Sequence, residues 1–480
     1  MLRRKFLFIL GLFFPFTVAL FGQNSPDSSS FFTLRQCVDS ALKNNPTTRL
    51  AEFTMETAKI NWHQQKATML PAISGYANYG SNSGRSINPY TNSYINQQYN
   101  SGFGQLSGSL VLWNGSSIQN FIRQYSLNYE ADKMDWRQAK DQLTINVILS
   151  YLNVLSTQEQ LHMAEKQAEA TRGKTGLLEI QNREGAVAPS VLYDMKGQSG
   201  ADELTVVSTR NALETYKLTL AQYMNIPYSP NLKFENGNEN RTPLIYDATI
   251  DQIYQNAIKN LALVKAANLH LASAEKGVKA TRGNMLPTLS LSGEVYTNYS
   301  SAASTEQYLN TTYATNGSYI MVNNNPLPVY APQKNYQSQQ ISLGNQFKNN
   351  VFSFIGFTLN VPILNGLRLR TLHRQAELVR EQASFTTKTT LIQLKQAIEQ
   401  DYVNMTAAYR TYNTLYQQVQ DYGESFRAAE IKFTAGAMSS VDYIIAKNNI
   451  DRAKLNLIAA KYNYVLQTKV LDYFQGKLTW

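Results

Sequence analysis

The chain has 480 residues, a formal net charge of +10 and only 16% charged residues. Its 30 tyrosines, together with plentiful Asn, Gln and Ser, suit the aromatic and uncharged polar surface of an outer-membrane barrel and match a cytoplasmic enzyme poorly. No basic run is interleaved with aromatic residues, so nucleic acid is not expected as a partner.

The first residues of the chain, 1–22, predict a secretory signal peptide. They comprise a basic start at Arg3–Lys5, an apolar run at Phe6–Phe21 and a small residue, Gly22. A membrane anchor is the alternative, but the apolar run is short and contains Pro15. No later stretch reaches the roughly 18 apolar residues of a transmembrane helix. The sequence therefore predicts export from the cytoplasm.

An internal duplication organises the rest of the chain. Met69–Pro71 recurs as Met285–Pro287, an offset of 285 − 69 = 216 residues, and Thr33–Gln36 aligns with Thr249–Gln252 at the same offset. Proline lacks an N–H group and disfavours an α conformation in the residue before it, so a helix is predicted to end at each Met-Leu-Pro joint. Each half therefore has the order helix, proline, strand.

The duplication divides the mature chain into two structural repeats, 23–228 and 249–480, joined by a linker at 229–248. Each repeat is predicted to contain a helix, a β-hairpin, a long helix and a return helix. The single cysteine, Cys37, aligns with Ile253, which predicts a buried helix position. An internal disulfide is excluded because there is only one cysteine.

In the first repeat, apolar residues at helical spacing predict an amphipathic helix over Thr33–Asn44. Pro46 can then occupy the first turn of a second helix that reaches Thr68. Alternating residues predict strands at Ala72–Tyr79 and Phe103–Trp113, joined by a loop at Gly80–Ser101 that is rich in Asn, Ser, Tyr and Gly.

The second repeat predicts the same hairpin, with strands near Leu289–Tyr296 and Phe352–Ile363 and a long proline-containing loop from about Ser300 to Asn350. Strands with one apolar and one polar face, joined by long loops, are typical of membrane barrels. The edge of a soluble sandwich is the alternative, but it would need more than these four strands. The predicted apolar faces are Leu106, Gly108, Leu110 and Leu112; Leu289, Leu291, Gly293 and Val295; and Ile355, Phe357, Leu359 and Val361.

Each returning strand leads into a long proline-free helical stretch, from Ser116 to about Arg183 and from Leu367 to Ala435. At 1.5 Å per residue, such a stretch would be roughly 100 Å long. Return helices are predicted at Ser190–Met224 and Ser440–Gly476. Spacings of three and four residues predict coiled-coil packing for Leu391, Leu394, Ile398, Tyr402, Met405, Tyr409, Tyr412, Tyr416 and Val419.

Glycine-containing tips join each long helix to its return helix. The four histidines, His63, His162, His270 and His373, are scattered without metal-ligand spacing, and Gly197–Gly200 lies in a helical stretch and is no nucleophile elbow. We therefore expect neither an enzyme nor a cofactor or metal site. The tips are Gly185, Ala186, Val187 and Ala188, and Gly436, Ala437, Met438 and Ser439.

Taken together, the duplicated helix–hairpin–long helix halves, the Met-Leu-Pro joints, the paired glycine tips and the Ala-Leu-Lys-Asn segment at Ala41–Asn44 resemble the TolC family of outer-membrane efflux proteins. The resemblance covers the chain from about Ser30 to Gln475. It implies a mixed α and β membrane protein in which three protomers each give four strands to one twelve-stranded barrel, with the helices forming a periplasmic tunnel. Independently, four strands cannot enclose a lumen, because single-chain barrels start at about eight.

The resemblance also assigns roles to residues at the tips. It implies that both tips form the periplasmic entrance and dock a periplasmic adaptor, with Glu184 departing from the family pattern at the first. At the second tip it implies a pore gate at Phe433, Met438, Asp442 and Ile445, where the family's best-known member has an aromatic residue, an Arg and two Asp. Only the first Asp is retained, as Asp442. The alternative for Asp442 is a capping residue near a helix start, and both roles can hold.

The sequence thus predicts an outer-membrane exit duct of a tripartite efflux or type I secretion system. The expected partners are two further copies in a homotrimer, a periplasmic adaptor, an inner-membrane pump and outer-membrane lipid. A general porin is one alternative, although long coiled coils argue against it. A trimeric coiled-coil adhesin is another, although the duplication and the two separate hairpins argue against that.

Overall fold

The computed structural model describes residues 31–87, 92–96, 98–235 and 244–477. The predicted signal peptide at 1–22 lies outside the described residues. The helices are α1 Leu34–Asn44, α2 Pro46–Ala67, α3 Ser117–Arg183, α4 Pro189–Met224, α5 Ile250–Asn260, α6 Ala262–Gly283, α7 Leu343–Asn349, α8 Arg368–Thr434 and α9 Ser440–Phe474. The strands are β1 Ala72–Asn82, β2 Arg85–Ile87, β3 Tyr94–Asn96, β4 Tyr99–Trp113, β5 Thr288–Ser300, β6 Ser304–Val322, β7 Asn325–Gln340 and β8 Phe352–Asn360.

Both repeats begin with the same hydrogen-bonded helix start. Thr33 Oγ1 accepts from the Gln36 backbone N–H at 3.2 Å, and the Thr33 N–H donates to Gln36 Oε1 at 2.9 Å. Thr249 and Gln252 make the same two bonds, at 3.4 and 3.0 Å. This reciprocal arrangement satisfies two N–H groups that the first helical turn leaves unpaired. The duplication seen in the sequence is therefore reproduced in the hydrogen bonding.

The chain folds as two compact units. Unit 1 contains the described residues up to Pro46 together with 140–253 and those from 398 onward, and unit 2 contains 47–139 and 254–397. Each unit takes segments from both repeats. The compact units therefore do not coincide with the predicted repeats 23–228 and 249–480.

The core of unit 1 contains residues of α1. Cys37 and Ile253 are both fully buried, as the alignment of the repeats predicts, and burial raises the pKa of the Cys37 thiol to about 12. Phe234 is also buried in the Cys37 cluster and forms a parallel bridge with Phe32. The described start of the predicted linker 229–248 therefore packs into this core.

The long helices α3 and α8 have 67 residues each. Most of the predicted seam on α8 is shielded, with Leu394, Ile398, Met405 and Tyr412 buried, but Tyr416 is half-exposed. Among the described residues, no helix combines the length and the apolar character needed to cross a bilayer.

The four predicted strands form one antiparallel sheet in unit 2, in the order β1-β4-β5-β8. Leu106 lies opposite Val295, and Leu291 lies opposite Phe357, so the predicted apolar positions that pair in the sheet share one face. Leu112 is the exception in β4, where the register shifts between Val111 and Trp113, and Val361 lies beyond the end of β8. That face is uncovered, since Ile355 and Phe357 are 75% and 72% exposed. The edges formed by β1 and β8 each have a strand neighbour on one side only.

The opposite face of this sheet is polar and aromatic. Ser74 and Ser107 share a hydrogen bond of 3.0 Å, and Gln105 donates to Glu294 at 2.8 Å. A row of rings crosses all four strands, with successive centroid separations of 6.3, 5.6 and 4.9 Å. Its members are Tyr76, Phe103, Tyr296 and Phe352.

Two stretches that were predicted to be loops contain strands, so those two predictions are wrong. The loop Gly80–Ser101 contains the short strands β2 and β3 and the extensions of β1 and β4. The loop from about Ser300 to Asn350 is mostly the long hairpin β6–β7, followed by α7. Prolines suggested a loop, yet Pro326, Pro328 and Pro332 lie within β7, two and four residues apart, so their nitrogens share one side of the strand. Strand prolines are tolerated where the missing N–H would face away from the partner.

Matching turns lead into both long helices. Asn114 Oδ1 accepts from the Ile118 N–H at 3.3 Å, and Asn365 Oδ1 accepts from the Leu369 N–H at 3.5 Å. The next residue is a glycine with positive φ, namely Gly115 at 63° and Gly366 at 60°. A Cβ at Gly115 would lie 2.6 Å from the Gly283 carbonyl oxygen, whereas a Cβ at Gly366 would meet nothing within 4 Å.

We expect Gly115→Ala to destabilise the protein by a few kcal/mol, because backbone strain of about 1 kcal/mol adds to overpacking of about 1–3 kcal/mol. Gly366→Ala is the matched control and should show the strain alone. Thermal unfolding followed by circular dichroism checks this order. Equal losses in the two variants would contradict the close approach at Gly115.

Candidate functional site at the helical tips

The two tips in unit 1 have the same backbone geometry. Gly185 and Gly436 both have φ of 70°. In the first tip the Ala186 N–H donates to the Gln181 carbonyl at 2.8 Å, and in the second the Ala437 N–H donates to the Lys432 carbonyl at 2.8 Å. The Gly185 N–H donates to the Asn182 carbonyl and the Gly436 N–H donates to the Phe433 carbonyl, both at 3.1 Å. These paired bonds end a helix through a left-handed residue, which glycine adopts without strain.

The return helices start differently at the two tips. At the first, Pro189 opens α4, and Asn182 Nδ2 donates to the Val187 carbonyl at 2.9 Å. At the second, Ser439 caps α9: its Oγ accepts from the Asp442 N–H at 3.1 Å and donates to Asp442 Oδ2 at 2.7 Å. The Asp442 carboxylate therefore lies in the first turn of α9, where the helix dipole favours a negative charge.

An apolar cluster joins the two tips. Leu178, Leu192, Met195 and Tyr443 are buried in it. Phe433 stacks on Tyr443 with a centroid separation of 4.5 Å, and burial raises the pKa of Tyr443 to about 12. The remaining members, which are partly buried, are Val187, Val191, Phe426, Phe433, Met438 and Ile444.

A buried ion cluster lies one turn further along α9. Lys447 is 6% exposed, and its Nζ donates to Asp202 Oδ2 at 2.8 Å and to Asp451 Oδ2 at 2.6 Å. Thr171 Oγ1 donates to the same Asp202 oxygen at 2.5 Å. Burial raises the pKa of Asp451, and the hydrogen bond from Lys447 opposes that shift. A buried ammonium with two carboxylates leaves little of its charge uncompensated.

An amide pair extends this cluster. Gln198 Nε2 donates to Asn448 Oδ1 at 2.8 Å, Asn448 Nδ2 donates to Gln198 Oε1 at 3.0 Å, and Gln198 also donates to Asp202 Oδ1 at 2.7 Å. The network connects α3, α4 and α9. Because each partner fixes the direction of the next, such a network specifies one register between the helices.

Known proteins with the same arrangement of repeats, sheet and tips are found by sequence and by structure. The family model described as outer membrane efflux protein matches residues 37–225 and 253–472. The chain belongs to the outer membrane efflux protein family. Its location is the outer membrane of a Gram-negative-type envelope.

Individual relatives of this family are distant. The outer membrane protein TolC of Escherichia coli strain K12 is 22% identical over 444 residues, which cover 90% of this chain and 80% of TolC. The Campylobacter jejuni CmeC outer membrane channel has a TM-score of 0.70 at 18% identity, covering 93% of this chain and 86% of CmeC. VceC, an outer membrane protein of Vibrio cholerae, has a TM-score of 0.71 at 13% identity, covering 93% of this chain and 97% of VceC. These likenesses confirm the TolC-like fold.

The four predicted gate residues of this efflux family member fall into two pairs. Phe433 and Met438 pack into the tip cluster. Asp442 and Ile445 are exposed, Ile445 at 53%. Phe433 and Met438 therefore stabilise the packing of the tip, whereas Asp442 and Ile445 are accessible on α9.

Sequence reasoning missed the Lys447 cluster. A signal was present, because Lys447 lies between the buried positions Tyr443 and Ile450 on one helical face. The partner Asp202 is distant in sequence, so its approach could not be inferred from spacing along α9.

Sequence reasoning also missed a group around His270 in unit 2. Potential ligand atoms of Asp132, Asp135 and His270 lie within 4.8 Å of one another. His270 Nε2 is 2.9 Å from Asp135 Oδ2, and this hydrogen bond raises the pKa of His270. Since both side chains are nearly half-exposed, the pair is explained as a surface hydrogen bond between a histidine and a carboxylate.

We expect Lys447→Met to destabilise unit 1 by about 3–5 kcal/mol, because it leaves the carboxylates of Asp202 and Asp451, only 11% and 19% exposed, without a cation. Lys196→Met is the control: Lys196 is paired with Glu179 at 2.7 Å but exposed, so it should change little. Chemical unfolding monitored by helical circular dichroism measures both. The triple variant Lys447→Met, Asp202→Asn, Asp451→Asn should recover part of the loss. A Lys447→Met protein as stable as the parent would refute the role given to the cluster.

Proposed function

We propose that this chain is the outer-membrane exit duct of a tripartite efflux or type I secretion system. It acts as a homotrimer that passes substrates from a periplasmic adaptor and an inner-membrane pump to the exterior. The observation that carries the proposal is the sheet β1-β4-β5-β8, with one exposed apolar face, one polar face and two open edges. A chain that also contains two 67-residue helices has the parts of both a membrane pore and a periplasmic extension.

The sheet supports the trimer and the lipid contact. An apolar face with residues such as Ile355 and Phe357 exposed suits lipid tails, and the face with Ser74, Gln105 and Glu294 suits a watery lumen. Open edges at β1 and β8 leave backbone N–H and C=O groups that hydrocarbon cannot satisfy. Closure against β1 and β8 of other copies removes both edges. The family relationship supports three copies.

The tips support adaptor docking. Both present a left-handed glycine, Gly185 or Gly436, with no heavy atom near the position of a Cβ. Small exposed residues follow, Ala186 and Ala437, so the backbone is accessible to a partner. The proposed docking tips are Gly185, Ala186, Val187, Ala188, Gly436, Ala437, Met438 and Ser439.

The mechanism is passive conduction with a helical iris at the inner end, and no catalytic step is proposed. Of the gate candidates, Asp442 and Ile445 are accessible, so we place a ring of three Asp442 carboxylates at the narrow end. Phe433 and Met438 support that ring from the tip cluster. A porin would need only short periplasmic turns, and an adhesin stalk would need no two-faced sheet.

The assembly is tested by the mass of the detergent-solubilised protein. We expect three copies, because a four-stranded sheet cannot close alone. Light scattering with correction for bound detergent gives the mass. A monomer or a soluble dimer would exclude the duct.

Docking is tested at Gly436. We expect Gly436→Leu to abolish export and adaptor co-purification while the trimer stays intact, since a branched side chain strains the left-handed turn and covers its backbone. Gly173→Leu is the control, because Gly173 is an exposed helical position with open space around it. Normal export by Gly436→Leu would count against tip docking.

The carboxylate ring is tested by single-channel recording. We expect multivalent cations to block current from the inner side, because three like charges together attract them, and Asp442→Asn should weaken the block while it keeps a hydrogen-bonding side chain beside Ser439. Glu184→Gln removes an exposed carboxylate at the first tip and serves as the control. Identical block in Asp442→Asn and the parent would leave Asp442 as a capping residue only.

A further inference from the structure

The hairpin β6–β7 stands apart from the main sheet of unit 2. Its two strands, Ser304–Val322 and Asn325–Gln340, pair only with each other among the described strands. Nearly every residue in both strands is exposed. An isolated two-stranded hairpin is marginally stable at best in water. A hairpin of this length therefore requires a surface that covers it.

The register places all five hairpin tyrosines on one face. Tyr308 lies opposite Tyr336, Tyr313 opposite Pro332, Tyr330 opposite Thr315, and Tyr319 opposite Pro328. We call this the tyrosine face: Tyr308, Tyr313, Tyr319, Tyr330 and Tyr336. These rings are 50–71% exposed. Exposed tyrosines at this density are typical of protein interfaces, because each ring offers a large apolar surface and a polar tip.

The other face of the hairpin has small and amide side chains. Ala314 lies opposite Ala331, and Asn335 Nδ2 donates to Asn310 Oδ1 and Thr312 Oγ1, both at 2.9 Å. We call this the amide face: Asn310, Thr312, Ala314, Ala331, Gln333 and Asn335. It offers shallow space at the two alanines and hydrogen-bonding groups around them.

The base of the hairpin is fixed to the main sheet. Gln346 of α7 is fully buried. Its side chain donates to the Ser300 carbonyl at 2.9 Å and the Ile341 carbonyl at 2.8 Å, and accepts from the Ser300 N–H at 2.9 Å. Ser300 is the last residue of β5, at the opposite end from the Met285–Pro287 joint. The hairpin therefore starts from the rim opposite the joint between α6 and β5, which is the exterior rim in the proposed duct.

Partners that add a strand to the β7 edge are disfavoured. Pro326, Pro328 and Pro332 are separated by even numbers of residues, so their missing N–H groups share one edge of β7. That edge is the outer one, because the inner edge pairs with β6. Proline at an edge is a known protection against strand addition. The hairpin faces are consequently the better binding surfaces.

We propose that the tyrosine face of each hairpin packs against the amide face of the hairpin from the neighbouring copy, so that three hairpins form a collar at the exterior rim. The inference rests on the homotrimer of the proposed function. Five rings at these exposures can bury on the order of 500 Å², which is more than half of the roughly 800 Å² per partner of a standard interface. A face meeting a different face closes into a ring under rotation.

Height and charge both favour this contact. Copies related by rotation about the barrel axis keep each residue at the same height along it. Tyr313 and Ala314 are sequence neighbours, so the Tyr313 ring of one copy comes level with the alanine pair of the next. The hairpin carries only two charged residues, Glu306 and Lys334, so three copies can approach without like-charge repulsion.

A disulfide test separates the collar from a free hairpin. In the double variant Tyr313→Cys, Ala331→Cys the two thiols lie on opposite faces of one hairpin, so they cannot bond within a protomer. Across the proposed contact they meet. The natural Cys37 is fully buried and stays unreactive. The intact detergent-solubilised protein is oxidised mildly and run on a denaturing non-reducing gel, with single Tyr313→Cys as the control.

We expect a covalent trimer from the double variant and monomers from the control. An intact trimer by light scattering whose double variant stays unlinked, with both thiols open to maleimide, overturns the collar and leaves the hairpin faces to an outside partner. A monomer by light scattering overturns the proposed duct and the collar together. A mass of three copies with no linkage thus refutes the collar alone.

Discussion

A four-stranded antiparallel sheet with an uncovered apolar face and two open edges cannot be the final state of a protein in water, and the rest of the molecule follows from that constraint. The apolar face, with Phe357 and Leu359 exposed, needs lipid. The edges at β1 and β8 need further strands. In hydrocarbon both needs become stricter, because unpaired backbone groups cannot turn to water. In the proposed duct, association with further copies is therefore a condition for the membrane-spanning sheet to form, and not a later addition to a finished protomer.

In the proposed duct the tips face a different requirement, because a docking surface must be well defined and still accessible. Their backbone is defined by the paired carbonyl bonds around Gly185 and Gly436, which use no side chain. Their packing is provided from within by the stack of Phe433 on Tyr443 and by the Lys447 cluster. The exposed side chains of the two turns are therefore not needed to hold the tip structure. Asp442 caps the first turn of α9 and is also exposed to solvent, so its capping does not hide its charge.

Much of the fold could be predicted from local signals. The Met-Leu-Pro joints and the glycine tips act within a few residues, and each lies where the sequence predicted it. Errors occurred where local and long-range effects differ. The prolines of β7 suggested a loop, but a strand accepts proline where the missing N–H would lie on its unpaired edge. The sequence alone does not show which edge of a strand is paired. Lys447 and His270 meet carboxylates that are far away in sequence, and spacing along one helix cannot indicate such partners.

The two repeats share the same fold and differ in the packing around the helix-entry turns and in the hairpins beyond the main sheet. Their capping boxes and helix-entry turns agree almost bond for bond. Yet Gly115 is pressed against Gly283, whereas its counterpart Gly366 is open. The first repeat carries the short β2–β3 pair, and the second carries the long β6–β7 hairpin at the corresponding place. A duplicated chain can vary such loops independently because the sheet register is already set by the strands below them. New surface therefore accumulates beyond the strands, where a change in length costs the membrane-spanning sheet nothing.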